Sequence, residues 1–211
     1  MNAPFNPALL DAAHADHADH AAAVARLCRA LDDAFDASAH ALDADEAIHS
    51  DPSRCAAFAQ GVRFALAQAL ADAALVAPAQ RLPAAGTDTD TYRRHLIAAD
   101  PRGRYTVAAL VWQLGHASPV HAHHTWCGYA VLDGTLTETL YDWNESRGVA
   151  EIRRAQQRTT GAITFGGPGR KNVHRLANDS AAQTVSLHVY GVAAARIATH
   201  VNDVLSFALA V

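Results

Sequence analysis

A His-x-His run between two glycines is the feature that most constrains how this chain folds. His121 and His123 lie in the stretch from Gly115 to Gly134, which is expected to be extended. Positions i and i+2 of a strand point to the same face, so both imidazoles enter one cavity while Ala122 faces the other way. Two neutral imidazoles that converge in this way commonly begin a site for a first-row transition metal.

A third histidine follows in a segment rich in glycine and proline. His174 is preceded by Gly161, Pro168 and Gly169, and Asn178 lies four positions after it.

Together the two segments resemble the paired motifs of the cupin superfamily. The acidic position of the first cupin motif is occupied here by Cys127. The resemblance implies a mainly β fold, a small β-barrel or jelly roll, with a metal held by His121, His123 and His174 and no carboxylate. The alternative is that these are hydrogen-bonded barrel histidines without a metal.

Composition excludes several classes of function. The chain has 211 residues, half of them hydrophobic, and a formal net charge of −4, which favours a packed globular fold over disorder. This mild charge provides no basic surface for nucleic acid and no polybasic patch for an anionic membrane. A membrane span is not expected either, because no run of about 18 uncharged apolar residues occurs.

Cysteine usage favours a reducing compartment. Cys28, Cys55 and Cys127 are an odd and scattered set, so they do not make a disulfide framework. The N-terminus carries acids and histidines and lacks the pattern of a signal peptide. We therefore expect a cytoplasmic protein, with Cys28 and Cys55 as inert core thiols; the sequence carries no signal for an oligomeric state.

The N-terminal part predicts helices. Apolar residues recur every three or four positions in two stripes, one of Leu10, Val24, Leu27, Leu31 and Phe35 and another of Phe58, Val62, Leu66, Leu70 and Leu75. Asp51 and Pro52 are typical of a helix start. We predict a helical region over residues 1–85, packed against a barrel over 86–211 as one folded unit, with a linker at 86–90.

The C-terminal part predicts short strands separated by turns, which indicates a sandwich or barrel. The predicted strands are Tyr105–Leu114, Thr125–Leu132, Thr135–Trp143, Gly161–Phe165, Val173–Leu176 and Thr184–Val192. Residues 196–211 fit either a last strand or a terminal helix.

A row of histidines near the N-terminus invites a second metal hypothesis. His14, His17 and His20 are three residues apart, and such positions spread around a helix too widely for three ligands to converge. A solvated helix end is the favoured interpretation.

Five segments in order resemble the type I cysteine dioxygenase family of thiol dioxygenases, over about residues 91–191. They are His121-x-His123, Cys127, the run LDGTLTETLYDW, His174-Arg175-Leu176 and Ser186-Leu187-His188-Val189-Tyr190. The resemblance implies an Fe²⁺ enzyme that oxidises a small carboxylated thiol, L-cysteine first, to its sulfinic acid with O₂. It also implies that His121, His123 and His174 are the iron ligands.

The resemblance assigns further roles. Ser186, His188 and Tyr190 alternate along a strand and so line one face; the family pattern makes them a relay that aims the Tyr190 hydroxyl at the substrate. Arg94, with Tyr92 beside it, matches the position that binds the substrate carboxylate, although a shift of one residue would give that role to Arg93.

Two points stay open at this stage. Cys127 is either the partner of Tyr190 in a thioether crosslink or a plain barrel cysteine. Arg94 favours cysteine as substrate, whereas Gly191 and Val192 depart from the Ser-Pro of cysteine-specific animal enzymes, which leaves 3-mercaptopropionate and mercaptosuccinate as alternatives. A non-catalytic cupin that binds a small ligand is the alternative from another class.

Overall fold

A computed structural model describes residues 7–41, 51–84 and 91–208. Within these residues, three α-helices come first, α1 (Pro7–Ala41), α2 (Ala56–Ala71) and α3 (Ala73–Gln80), with a short 3₁₀ turn at Pro52–Arg54 before α2. The strands that follow are β1 (Arg93–Ala99), β2 (Thr106–Trp112), β3 (His121–His123), β4 (Cys127–Asp133), β5 (Thr135–Asn144), β6 (Val149–Thr159), β7 (Ile163–Gly166), β8 (Gly169–Ala177), β9 (Thr184–Tyr190) and β10 (Asn202–Val204).

The strands form two antiparallel five-stranded sheets. One has the order β1-β2-β9-β4-β7 and the other the order β10-β3-β8-β5-β6. Side chains from β2, β4 and β9 of the first sheet meet Leu136 and Leu176 of the second in one buried cluster, so the space between the sheets is filled. The predicted mainly β barrel architecture is confirmed.

The outer face of the first sheet is covered by the helices. Phe58, Val62 and Leu66 of α2 are fully buried and belong to one cluster with residues of β2, β4 and β9. The helix approaches the sheet closely at Gly128, where a Cβ atom would lie 3.0 Å from Val62 Cγ1. Helices and barrel therefore share a core; the predicted linker at 86–90, and the boundary before it, lie outside the described residues.

Several predicted boundaries shift. Asp51 caps the 3₁₀ turn and not the start of α2. Its side chain accepts a hydrogen bond from the Ser53 backbone N–H at 3.0 Å. Strands β1 and β6 were not predicted. The open question about residues 196–211 is answered by the short strand β10, which follows a 3₁₀ turn at Ala194–Arg196.

The three cysteines are free thiols, as expected, and burial is the main factor that raises the pKa of Cys28. In the described part of the chain, no single helix is long and apolar enough to cross a membrane; α2 and α3 meet those criteria only as a pair bent by 75°.

Candidate metal centre

Strand pairing in the second sheet brings the three histidines together. β3 pairs with β8 so that His121 lies opposite His174, and the register then shifts so that His123 lies opposite Gly169. On its other side β3 pairs with β10, where Val204 is opposite His121. A strand of only three residues is therefore held by a neighbour on each side, which fixes where its two imidazoles point.

The imidazole nitrogens form a compact cluster. One ring nitrogen from each of His121, His123 and His174 lies within 4.8 Å of the others, and the Nε2 atoms of His123 and His174 are 3.1 Å apart. His121 and His123 are 4% and 7% exposed, and the His174 side chain is 12% exposed. In the described part of the chain this is the only group of three or more potential ligand residues at such distances.

The protonation of the rings suits a metal. His121 Nδ1 donates to the Pro119 carbonyl at 2.9 Å, and His174 Nδ1 to Glu138 Oε1 at 3.0 Å, so both rings turn Nε2 to the centre. Burial, assisted by His174, lowers the pKa of His121 to about 3 and that of His123 well below its ordinary value. Converging lone pairs on neutral imidazoles are the donor set that a divalent transition metal prefers.

A buried carboxylate lies behind His174. Glu138, on β5, is 3% exposed, and its Oε2 accepts from Arg158 Nε at 2.7 Å and Gln156 Nε2 at 2.9 Å. Burial opposes ionisation, but the hydrogen bonds from His174 and Arg158 outweigh it and lower the pKa of Glu138 to about 2. The carboxylate is therefore charged at neutral pH.

The predicted relay residues share one face of β9. Ser186 Oγ and His188 Nε2 are 2.9 Å apart, and the rings of His188 and Tyr190 stack with centroids 5.6 Å apart. Burial is the first cause that lowers the pKa of His188 and that raises the pKa of Tyr190, both strongly. The imidazole is thus neutral and the phenol keeps its proton. Trp112 Nε1 donates to Ser186 Oγ at 2.9 Å, a contact that was not predicted.

Arg94, and not Arg93, faces the centre. Arg93 is exposed, whereas the Arg94 guanidinium lies 5.7 Å from the centroid of the Tyr190 ring. Its Nη1 donates to the Ile197 carbonyl at 3.2 Å and its Nη2 to the Tyr92 hydroxyl at 3.4 Å. The buried Nε–H is left without a partner, so a donor remains for a ligand.

Cys127 lies directly opposite Tyr190 in the β4–β9 pair. Side chains of directly opposed residues project to the same face, with Cβ atoms about 4.5–5.5 Å apart. Both residues are buried in the cluster between the sheets, and burial raises the pKa of the Cys127 thiol strongly. The structure thus brings the two predicted crosslink partners together as a protonated thiol and phenol.

A cleft of about 180 Å³ opens beside the histidines. His123, His174 and Glu138 line it together with four basic side chains, namely Arg153, Arg154, Arg158 and Lys171. β6 carries a bulge here, since Leu140 pairs with Arg154 and Tyr141 with Ile152. A bulge redirects side chains, and here Arg153 and Arg154 both line the cleft. Its positive charge suits an anionic ligand.

The N-terminal histidine row contributes nothing to this centre. His20 Nδ1 donates to the Ala74 carbonyl at 2.9 Å, and His17 is exposed on α1. The side chain of His14 lies outside the described residues. The interpretation as a helix end stays a prediction.

Glu138, Arg158 and Trp112 were missed by sequence reasoning. Glu138 had a detectable signal, because it alternates with Leu136 and Leu140 and a charge on an apolar strand face needs a partner. Arg158 had none, since β6 was not predicted. Trp112 had none either, because a tryptophan at the end of an apolar strand gives no indication of which group its indole N–H will bind.

Comparison with known proteins gives one family. The family model described as cysteine dioxygenase type I matches residues 59–200. Cysteine dioxygenase type 1 of Rattus norvegicus is 30% identical over 125 residues, 58% of this chain and 62% of the rat protein. That of Danio rerio is 32% identical over 109 residues, 49% of this chain and 52% of the fish protein. The matches thus span less than two thirds of these relatives' length.

Solved structures of similar shape are more distant. A cupin superfamily protein from Desulfitobacterium hafniense matches with a TM-score of 0.41 and 10% identity, over 54% of this chain and 86% of that one. A cupin 2 conserved barrel domain protein from Salinispora arenicola matches with a TM-score of 0.38 and 15% identity, over 56% and 93% of the two chains.

Metal-free protein is expected to lose stability as the pH falls from about 6.5 towards 5. In this window the unfolded chain binds a proton at His121, whereas the folded chain does not because its pKa is about 3. Each histidine of this kind lowers the free energy of unfolding by up to about 1.4 kcal/mol per pH unit. Urea unfolding in a chelating buffer across this range measures the slope.

The variant His121→Gln is expected to reduce that slope, and His17→Gln, at an exposed position on α1, is the matched control. An unchanged slope in His121→Gln would show that the imidazole is not held neutral by the fold.

Proposed function

We propose, since this chain belongs to the cysteine dioxygenase type I family, that it is a non-haem iron thiol dioxygenase. Its proposed reaction converts a small carboxylated thiol, L-cysteine first, and O₂ to the sulfinic acid. The observation that carries the proposal is the cluster of three imidazoles with Arg94 and Tyr190 beside it. A site that only stored a metal would need neither of those two side chains.

His121, His123 and His174 are the proposed ligands of Fe²⁺. A ferrous ion held there would bind the thiolate and dioxygen together, and the electrons that reduce dioxygen would come from the sulfur as it is oxidised to the sulfinate. Three neutral donors leave the charge of the ion uncompensated, which favours an anionic thiolate as the next ligand. Redox use and geometry, and not affinity, are the basis for proposing iron, because zinc and copper bind imidazole at least as well.

Arg94 is the proposed binding residue for the substrate carboxylate. Its guanidinium is held by Ile197 and Tyr92 while the buried Nε–H has no partner. A carboxylate would satisfy that donor, and the planar guanidinium suits a two-point contact. Holding the carboxylate orients the sulfur of the same molecule towards the histidines, which lowers the entropic cost of reaction. Tyr92 holds the guanidinium in place.

Tyr190 is proposed to donate its proton in a hydrogen bond to oxygen that gains charge at the reacting sulfur. Burial keeps the phenol protonated, since it raises the pKa of Tyr190 well above its ordinary value. Neutral His188 stacks on the ring and is itself held by Ser186. Because Trp112 donates to Ser186 Oγ, the serine hydroxyl proton is directed to His188 Nε2. The chain of contacts from Trp112 through Ser186 and His188 to Tyr190 thus holds the phenol ring in one orientation.

A thioether between Cys127 and Tyr190 is a further part of the proposal. In that step a bond forms between Cys127 Sγ and the ring carbon next to the Tyr190 hydroxyl, and two hydrogen atoms pass to dioxygen. Direct opposition of the two residues in β4 and β9 supports it.

A reducing, cytoplasmic setting is also proposed. Its support is that Cys28, Cys55 and Cys127 are all free thiols, and free cysteines persist in reducing compartments.

Iron-loaded protein is expected to consume oxygen with a carboxylated thiol and to release the sulfinate, detected by mass spectrometry. Cysteine, 3-mercaptopropionate and mercaptosuccinate, tested side by side, identify the substrate. His174→Ala should lose both iron and activity. Full iron content and activity in that variant would refute the ligand set, and no oxygen uptake with any thiol would favour a non-catalytic cupin.

Arg94→Gln is expected to raise KM by about 10- to 100-fold with a smaller change in kcat, because a charge-assisted contact of about 1.5–3 kcal/mol is lost. Arg93→Gln, at the exposed neighbouring position, is the control and should stay within about twofold. Equal effects of the two substitutions would argue against the carboxylate assignment.

Turnover is expected to lower the mass of the intact protein by two hydrogen atoms, and the loss should map to a peptide pair that joins Cys127 and Tyr190. Cys127→Ser should show no such loss, while Cys55→Ser should behave as the wild type. A free thiol at Cys127 after turnover would rule the crosslink out.

A further inference from the structure

We infer that Glu138 is a positioning residue for the metal centre: it sets the tautomer of His174 and supplies, from behind the ring, the negative charge that a three-histidine ligand set lacks. The inference rests on the proposed metal site but not on the thiol chemistry. Glu138 is no ligand itself, because it binds the far nitrogen of the ring, and the ring lies between the carboxylate and the centre.

The two carboxylate oxygens have separate tasks. Oε1 accepts the Nδ1–H of His174 at 3.0 Å. Oε2 accepts from Arg158 and from Gln156, both of which offer only N–H groups in this arrangement. The three side chains that hydrogen-bond to Glu138, namely His174, Arg158 and Gln156, are thus donors, and an ionised carboxylate is the side chain that accepts on both oxygens.

Strand register places these partners. Glu138 pairs with Gln156 of β6 on one side and with Leu176 of β8 on the other, while His174 pairs with Leu140, two residues further along β5. Gln156 and Arg158 are two positions apart and share a face of β6. The carboxylate is therefore fixed between β6 and the ligand strand, with little freedom to turn away.

Stability alone does not account for a carboxylate as buried as that of Glu138. Buried ion pairs contribute little net stability compared with well-packed apolar residues, and Leu136 and Leu140 flank Glu138 on the same strand face. A carboxylate that accepts from a ligating histidine fixes the ring and makes its metal-binding nitrogen more basic. The three candidate ligands include no carboxylate, since Cys127 stands at the acidic position of the cupin motif. Glu138 therefore contributes its negative charge indirectly, by its hydrogen bond to His174.

The geometry gives a specific expectation for Glu138→Gln. Arg158 and Gln156 both donate to the outer oxygen, so the new amide will turn its oxygen to them and its NH₂ group to His174. Nδ1 of His174 must then accept, which moves the ring proton to Nε2, the nitrogen that faces the centre. The variant keeps the size of the side chain but blocks a ligand.

Removal of the outer donor should reverse this effect. In the double variant Glu138→Gln, Arg158→Met the amide oxygen is released from the guanidinium and can accept from His174 Nδ1 again, while the Gln156 amide can turn to match. Arg158→Met alone leaves the carboxylate on His174. Glu151→Gln, at a part-exposed glutamate on β6, is the matched control.

Two measurements test the inference on full-length protein. Affinity for Co²⁺ and, without air, Fe²⁺ is measured by competition with a chelator. The ¹⁵N shifts of histidine rings in metal-free protein, with His174 assigned by its loss in His174→Gln, report the tautomer. We expect Glu138→Gln to bind metal about 10- to 100-fold more weakly with the proton on Nε2, and the double variant to regain most of that affinity with the proton on Nδ1.

Wild-type affinity in Glu138→Gln would overturn the inference. So would a loss of affinity in Arg158→Met as large as that in Glu138→Gln, because it would show that the cluster only maintains the fold. If Glu138→Gln does not fold, the metal-free wild type decides instead: a His174 proton on Nε2 would overturn the inference, and a proton on Nδ1 would support it. If the metal results hold while no thiol is oxidised by the wild type, the proposed reaction fails and the role of Glu138 stands.

Discussion

The pairing of β3 with β8 is the contact on which the centre depends. It sets His121 opposite His174, and no local property of either segment would bring these residues together. β10 completes the arrangement, since the His124 backbone N–H donates to the Val201 carbonyl and the Leu205 N–H to Val120. The end of the described chain thus holds the short ligand strand from its open side. Displacement of β10 would leave β3 held by β8 alone.

Charge is arranged around the histidines and not among them. No carboxylate is among the three candidate ligands, so a divalent ion held there would keep its full charge towards the cavity. Arg94 lies on the side of Tyr190 with a free donor, and the Glu138–Arg158 pair lies behind His174. A substrate with a thiolate and a carboxylate would meet opposite charge at both ends. This complementarity, and not the ligand set alone, is the basis on which a small carboxylated thiol is proposed.

Sequence periodicity predicted the parts of the site that depend on one strand. His121 and His123, and likewise Ser186 to Tyr190, are separated by two or four residues, and alternation alone assigns each set to one face. The two helices on the outer sheet followed from apolar spacing. The candidate ligands also depended on resemblance to a family, because spacing within a strand says nothing about which strand lies next to it.

What the sequence did not reveal depends on contacts between strands. β6 is polar and mostly exposed, so it has no apolar pattern, and its pairing with β5 is what delivers Arg158 and Gln156 to Glu138. Trp112 meets Ser186 through the β2–β9 pair in the same way. Hydrogen bonds of this kind set which nitrogen of a ring carries the proton, and therefore whether a histidine is a ligand at all. Identity of the ligating residues can thus be inferred from a motif, whereas their protonation is a property of the assembled sheet.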